Sequence, residues 1–97
     1  MGKRFFVYIL ASRRHGTLYV GVTWRLPERV AQHRAKVSAG FTQRYSVDRL
    51  VYFEEHDGAE NALRREKQLK GWRREWKIRL IERRNPEWRD LYTEIAR

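Results

Sequence analysis

The chain has 97 residues, 41% of them hydrophobic and 13% aromatic, which is enough for the core of one domain and too little for two. Because it contains no cysteine, disulfide bonds and thiolate metal sites are excluded. Lys and Arg outnumber Asp and Glu by 22 to 12, and the formal net charge of +10 predicts phosphate polyanions as the first class of partner and anionic membranes as the second.

The sequence has no apolar run close to the roughly 20 residues of a membrane-spanning helix, and its start lacks the pattern of a signal peptide. We therefore expect a cytoplasmic protein without a membrane segment. A suitable amphipathic helix with exposed aromatic residues is also missing, which disfavours a protein bound to the membrane surface. A single domain is expected over residues 1–97, with a core over about 5–80 and a C-terminal cap over 81–97.

The first part of the chain predicts a β-hairpin. Two runs rich in aromatic and β-branched residues, 5–10 and 18–23, flank a polar segment. Each run carries one tyrosine, Tyr8 or Tyr19, and residue type alone favours a packing role for both. Gly21, near the end of the second run, permits another group to approach the backbone closely, and a ligand is one such group.

Residues 26–35 predict a helix, since Pro27 suits its first turn. Arg29 and His33 stand four positions apart and therefore share one face of that helix. The polar segment 36–48 predicts a loop.

A third strand is predicted at 50–53, where the residues are nearly all apolar. Asp57 then suits the N-cap of a second helix, with Glu60 as its capping-box partner. One side of this helix carries Ala59, Ala62, Leu63, Glu66 and Leu69. Glu66 is the exception in this apolar stripe. A buried lone carboxylate is costly, so we expect it either to pair with an arginine or to coordinate a cation.

A further helix is predicted over 73–84. Trp72, Trp76 and Leu80 recur at a spacing of four, which favours a core stripe over a nucleic-acid stacking platform. The Asn-Pro pair at 85–86 ends the helix, and a short C-terminal turn or helix is expected to cover the sheet. The element order therefore predicts an α+β fold, a small antiparallel sheet with helices packed against it.

Several short motifs follow one another in a fixed order. Val7-Tyr8-Ile9 and Tyr19-Val20-Gly21 come first, and Arg29, His33 and Glu66 follow. Each motif alone is weak, but the ordered set resembles the GIY-YIG endonuclease superfamily, above all its small stand-alone bacterial members. The resemblance covers about residues 5–80 and implies a three-stranded antiparallel sheet flanked by helices.

The resemblance also implies an activity, a divalent-metal-dependent endonuclease that hydrolyses phosphodiester bonds in nucleic-acid repair or turnover. It implies that Glu66 binds Mg²⁺ or Mn²⁺, since one carboxylate with waters and phosphate oxygens is a normal set for Mg²⁺. Arg29 would stabilise charge in the transition state. The family favours Tyr19 as general base with Tyr8 as its orienting partner, but a tyrosine base needs cationic help. His33 titrates near neutrality, so it is a second candidate for base or proton relay.

Basic and hydroxyl side chains are the predicted contacts to nucleic-acid phosphates, with DNA favoured over RNA as the partner. They are Arg13, Arg14, Thr23, Arg25, Arg34, Arg44, Lys67 and Lys70.

Two alternative functions stay open. An RNA-recognition module is suggested by residues 7–10 and 50–54, although the Gly-Phe core of its second motif and a helix between the first two strands are missing. The other alternative is a GIY-YIG domain that binds nucleic acid without cutting it, or that needs a protein partner for targeting. Replacing Glu66 with alanine would separate a nuclease from a pure binder.

Overall fold

A three-stranded antiparallel sheet lies at the centre of the computed structural model, which describes residues 3–35 and 45–96. Strand β1 (Phe5–Ala11) is central, and β2 (Leu18–Thr23) and β3 (Arg49–His56) pair with it on either side. The predicted hairpin and sheet are therefore confirmed. Strand β3 is longer than predicted, because the polar residues that follow its apolar part continue to pair with β1.

Helices cover both faces of the sheet, which confirms the predicted α+β fold. Helices α1 (Leu26–Arg34) and α4 (Tyr92–Ile95) pack on one face, and α2 (Ala59–Gly71) and α3 (Arg74–Arg84) pack on the other. As predicted, Pro27 lies in the first turn of α1. Within the described part of the chain, no helix combines the length and the apolarity needed to cross a bilayer.

Alternating side chains of β1 contribute to two hydrophobic cores, one on each face of the sheet. Val7, Ile9 and Ala11 are fully buried in the core that includes α2 and α3. Tyr8 and Leu10 point the other way and pack in the core that includes α1 and α4. Because both faces are covered, the sequence of β1 is almost continuously apolar.

A bulge in β3 changes which core its residues join. Ile9 pairs with Tyr52 and Leu10 pairs with Leu50, so Val51 has no partner on β1. Leu50 packs in the α1 core, whereas Val51 and Tyr52 both pack in the α2 core. The extra residue thus allows one strand to supply neighbouring apolar side chains to the same face.

Asn85, the residue that ends α3, satisfies the backbone at this bulge. Its side-chain amide donates to the carbonyl of Val51 at 3.1 Å and to the carbonyl of Arg89 at 2.9 Å. Its Oδ1 accepts from the backbone N–H of Arg89 at 3.0 Å. Asn85 is buried, so these bonds are not replaced by water when they are lost.

The residues after Asn85 cover the outer edge of β3. The N–H of Leu91 donates to the carbonyl of Leu50 at 2.7 Å, and the carboxylate of Asp90 accepts from the N–H of Leu50 at 3.3 Å. The Arg49 guanidinium also donates to the carbonyl of Trp88 at 3.1 Å. An uncovered edge would present unpaired backbone groups to other chains, so this C-terminal segment protects the sheet.

Two predictions about α2 are wrong. The N-cap residue is Gly58, and no side chain caps the helix, since the carboxylate of Asp57 pairs with Arg4 instead. Leu63 is 52% exposed rather than inward-facing. The buried stripe runs from Ala62 to Leu69, and its middle positions are the charged residues 65 and 66.

The prediction that Trp76 belongs to the core is also wrong, since this side chain is 44% exposed. Trp72 precedes α3, so the spacing of four between the two tryptophans does not describe one helix face. Ile81 is fully buried, and Ile78 packs beside it, so these two residues define the inward face of α3. Trp76 lies five positions before Ile81, which is about 140° around the helix.

We expect Asn85→Ala to lower the free energy of unfolding by about 2 kcal/mol, because it leaves the Val51 carbonyl buried without its side-chain donor. Denaturant titration measures this loss. Asn61→Ala is the matched control, since Asn61 is exposed on α2 and bonds only to Arg64 there. Equal stabilities of the two variants would contradict the role given to Asn85.

Candidate active site

Tyr8 is the buried centre of the candidate site. Its side chain is 1% exposed, and its hydroxyl lies 3.1 Å from Nε2 of His33 on α1. The Tyr8 ring lies over Gly21, its partner on β2, where a Cβ atom would be 2.5 Å from the ring carbon Cζ and from the hydroxyl oxygen. The close approach that the sequence predicts at Gly21 is therefore made by Tyr8, and a side chain there would displace it.

Three aromatic rings meet at this point, each from a different element. Tyr8 comes from β1, Tyr19 from β2 and His33 from α1. The ring centroid of Tyr19 lies 6.3 Å from that of Tyr8 and 5.4 Å from that of His33. The two tyrosines and the histidine of the sequence motifs thus form one cluster.

Burial determines how Tyr8 and His33 ionise. The pKa of Tyr8 is raised to about 12, mainly by burial and further by the neighbouring Tyr19. The hydrogen bond from Arg29 acts in the opposite direction and lowers the pKa. Burial also lowers the pKa of His33 to about 4, and the positive charge of Arg29 adds to this effect. At neutral pH, Tyr8 is therefore a phenol and His33 a neutral imidazole. The tautomer of His33 sets the direction of their hydrogen bond, and Tyr8 is the donor when the imidazole proton is on Nδ1.

Arg29 lies one helical turn before His33 and connects the buried cluster to the surface. Its guanidinium bonds to Tyr8 and also donates to Oε1 of Gln32 at 3.0 Å. This position supplies a fixed positive charge next to the phenol, where an anionic group could be bound.

Glu66 comes to the site from α2, which packs on the other face of the sheet. Its charge adds a smaller contribution to the raised pKa of Tyr8. The side chain is 18% exposed, and Nζ of Lys70 lies 3.0 Å from Oε2. The stripe position predicted for Glu66 is confirmed, and its ion-pair partner is a lysine of the same helix rather than an arginine.

A divalent metal ion fits this donor set only with help from other ligands. No group of three or more His, Asp or Glu side chains that could hold a metal ion occurs among residues 3–35 and 45–96. A single hard carboxylate such as Glu66 suits Mg²⁺ or Mn²⁺, which bind proteins through few side chains and keep waters or substrate phosphate oxygens. It does not suit a structural zinc ion.

An open cleft of about 290 Å³ lies beside Arg29. Its lining residues are Thr23, Trp24, Arg25, Glu28, Arg29 and Gln32. Two predicted phosphate contacts, Thr23 and Arg25, are therefore brought next to Arg29. The hydroxyl of Thr23 also accepts from the N–H of Arg25 at 3.0 Å, which orders the turn into α1.

Trp24 is the residue of this cleft that the sequence analysis missed. It is 47% exposed, and Nζ of Lys3 and the guanidinium of Arg25 lie 4.0 Å and 5.3 Å from its ring centroid. An exposed aromatic residue between cations is a feature of surfaces that bind unpaired bases. The signal in the sequence was a tryptophan next to an arginine at the end of the second motif.

The other predicted phosphate contacts are not brought to this cleft. Arg13 and Arg14 lie on the hairpin loop, at the opposite end of the β1–β2 ladder from Thr23. Arg34 pairs with Asp90 and packs on Tyr92, so it joins α1 to the C-terminal segment.

Two predicted contacts lie on α2, where Lys67 is exposed and Lys70 pairs with Glu66. Arg44 lies outside the described residues.

Comparison with known proteins agrees with the motifs. The family model of the GIY-YIG catalytic domain matches residues 4–79. The chain is 33% identical to a UPF0213 protein of Staphylococcus haemolyticus over 84% of this chain and 98% of that protein. It is 35% identical to a UPF0213 protein of Natronomonas pharaonis over 84% of this chain and 94% of that protein.

A solved structure agrees as well. The solution NMR structure of a UPF0213 protein from Bacillus halodurans superposes with a TM-score of 0.56 at 26% identity, covering 90% of this chain and 92% of that one. The motif residues from Tyr8 to Glu66 lie inside the range that the family model matches. The chain therefore belongs to the family defined by the GIY-YIG catalytic domain, together with the UPF0213 proteins.

Proposed function

We propose that this protein is a divalent-metal-dependent endonuclease that hydrolyses phosphodiester bonds, with DNA preferred over RNA, in nucleic-acid repair or turnover. The family is one of nucleases, which supports the reaction class. The observation that carries the proposal is the buried hydrogen bond between Tyr8 and a neutral His33, next to the guanidinium of Arg29. The proposed reaction uses the His33 tautomer in which Nδ1 carries the proton and Nε2 accepts from Tyr8.

In the proposed reaction, a water attacks the phosphorus atom and must lose a proton. Tyr8 cannot accumulate as a phenolate, because its pKa is raised to about 12. It can instead take the proton of the water while it passes its own proton to Nε2 of His33. The water O–H and the original Tyr8 O–H bonds break, and a new Tyr8 O–H and an N–H on His33 form. The water oxygen forms a P–O bond while the bond from phosphorus to the leaving oxygen breaks, and the leaving alkoxide takes a proton from solvent.

Substrate binding favours this transfer. Burial and the charge of Arg29 together hold the pKa of His33 low in the free protein. A phosphate bound at Arg29 offsets that charge, so the pKa of His33 rises towards its ordinary value. Tyr19 packs against His33 and is the second candidate for the base.

Charge stabilisation is the other requirement of the reaction. Arg29, at the inner end of the cleft, is placed to neutralise the extra negative charge of the transition state. Thr23 and Arg25 are proposed to hold the neighbouring phosphates. Glu66 is proposed to hold the metal ion, which when bound would polarise the scissile phosphate and lower the pKa of the attacking water.

The ion pair of Glu66 supports one alternative function. A metal ion at Glu66 has to displace Lys70, which lies 3.0 Å from the carboxylate. A domain that only binds nucleic acid, or that cuts after a protein partner rearranges this pair, would retain the same charge pattern. The substitution Glu66→Gln separates these functions.

We expect Glu66→Gln to lower the cleavage rate about 100-fold or more while nucleic-acid binding is kept, because a catalytic metal ion supplies several kcal/mol to the transition state. The assay uses single-stranded, duplex, nicked and branched DNA and RNA with Mg²⁺, Mn²⁺ or chelator. Glu60→Gln, an exposed substitution on the same helix, is the control. Salt-sensitive binding without cutting, unchanged in Glu66→Gln, would contradict the nuclease proposal.

The position of Tyr8 can be tested through its neighbour. We expect Gly21→Ala to slow cleavage about 10- to 100-fold, because the added methyl group displaces the phenol from His33. The imidazole nitrogen chemical shifts of His33 report the same displacement without reference to activity. Gly71→Ala adds the same methyl group in open space and should cut at the parent rate. Parent activity in Gly21→Ala would show that Tyr8 takes no part in the reaction.

The buried His33 makes stability depend on pH. Its pKa is about 4 in the folded protein and 6.5 when unfolded, so below pH 6.5 the unfolded state binds the proton first and stability falls with falling pH. Between pH 7 and pH 5, we expect the parent to lose about 2 kcal/mol more of its unfolding free energy than His33→Gln does.

Denaturant titrations at both pH values test this difference. His15→Gln is measured beside them, since it removes an imidazole from an exposed loop position. The same loss in the parent and in His33→Gln would show that His33 is not buried in its neutral form.

A further inference from the structure

A second groove lies between α2 and α3, away from the cleft beside Arg29. It has a volume of about 430 Å³ and is lined by Arg65, Trp72, Trp76, Arg79, Leu80 and Arg83. We call it the α2–α3 groove. Its lining combines two tryptophans with three arginines and contains no carboxylate.

The two tryptophans of the groove contact each other and neighbouring guanidinium groups. The rings of Trp72 and Trp76 meet edge to face, with centroids 6.1 Å apart and planes at 86°. The guanidinium of Arg65 lies 5.3 Å from the ring centroid of Trp72, and that of Arg73 lies 5.7 Å from the centroid of Trp76. Trp76 is 44% exposed, so part of its ring is open to a ligand.

Hydrogen bonds to Glu54 and Gln68 hold the Arg65 side chain in place. Its Nε and Nη2 donate to Glu54 on β3 at 2.8 Å and 3.4 Å, and its Nη1 donates to Gln68 at 2.7 Å. These bonds fix the guanidinium beside Trp72. Glu54 is thus a positioning residue for one wall of the groove.

The charge of the groove selects an anionic ligand. Arg79 and Arg83 are four positions apart on α3, so they share one face. Neither forms an ion pair with a carboxylate in the part of the chain that the structure describes. Their charges are therefore available to phosphates, while the exposed Trp76 ring offers a surface on which a base can stack.

We propose that the α2–α3 groove binds a single-stranded segment of nucleic acid, with a base stacked on Trp76 and phosphates on Arg79 and Arg83. A duplex keeps its bases paired and stacked, so only an unpaired segment can use the aromatic surface. The choice of nucleic acid as ligand rests on the proposed function as well as on the charge of the groove.

Helix α2 contributes one residue to the groove and one to the proposed catalytic site. Arg65, which forms one wall, is the residue next to Glu66, the proposed metal ligand. In this proposal, one strand reaches both Glu66 and the groove by crossing α2. This arrangement predicts a preference for substrates with a single-stranded region next to the cleavage point.

Binding is measured in the Glu66→Gln background with chelator, so that nothing is cut, using the fluorescence anisotropy of labelled oligothymidine and oligouridine. We expect Trp76→Ala to weaken binding about tenfold without changing the salt dependence, and Trp76→Phe to restore most of the affinity. Arg79→Ala should lower the slope of log K against log salt by about 0.7. The responses of the DNA and RNA oligomers to Trp76→Ala show which of them uses the ring.

Arg64→Ala is the charge-matched control, since Arg64 is exposed on α2, bonds to Asn61 and does not line the groove. It should bind within about twofold of the parent. Thermal unfolding confirms that each variant is folded.

Parent affinity in Trp76→Ala would overturn the proposal. A change in oligomeric state on Trp76→Ala, with nucleic-acid binding unchanged, would also overturn it and assign the groove to contact between protein chains. This result is independent of the nuclease proposal. If the parent cuts no substrate but its binding is weakened by Trp76→Ala, the groove proposal stands and the nuclease proposal is wrong.

Discussion

The hydrogen bond between Tyr8 and His33 joins the central strand to α1 inside the protein, and the candidate site is arranged around it. Both side chains are buried, so neither can exchange its partner for water. The bond therefore sets the rotation of α1 against the sheet. That rotation places Arg29 one turn away at the inner end of the cleft, and the Tyr8 ring leaves no room for a side chain at Gly21.

Helix α2 is positioned in a different way, by charged residues in a stripe that is usually apolar. Burial raises the pKa of Glu54, but hydrogen bonds from Arg65, Tyr52 and His56 together hold it below its ordinary value. Removing one member of such a network leaves the others partly buried without a partner, so the network holds α2 against β3. The same orientation of α2 brings Arg65 to the α2–α3 groove and leaves Glu66 partly buried beside Lys70.

Predictions that depend on local pattern were confirmed. The two apolar runs of the hairpin, the first turn of α1 with its Pro27 and the third strand follow from residue type and periodicity, which act over a few neighbouring residues. The predictions that failed depend on which face a helix turns inward. Asp57, Leu63 and Trp76 all fit a local rule. The carboxylate of Asp57, however, forms an ion pair with the distant Arg4, and the rotation of each helix leaves Leu63 and Trp76 exposed.

The sequence by itself determined the element order, the charge and the chemical types in the candidate site, because these depend on residue identity and short spacings. It also marked Glu66 as unusual, since a carboxylate in an apolar stripe needs a partner. Only the tertiary structure decided that Tyr8 shares a buried hydrogen bond with a neutral His33 and that Trp76 faces a groove of arginines. These features depend on burial and on contacts between distant segments, and folding alone brings those segments together.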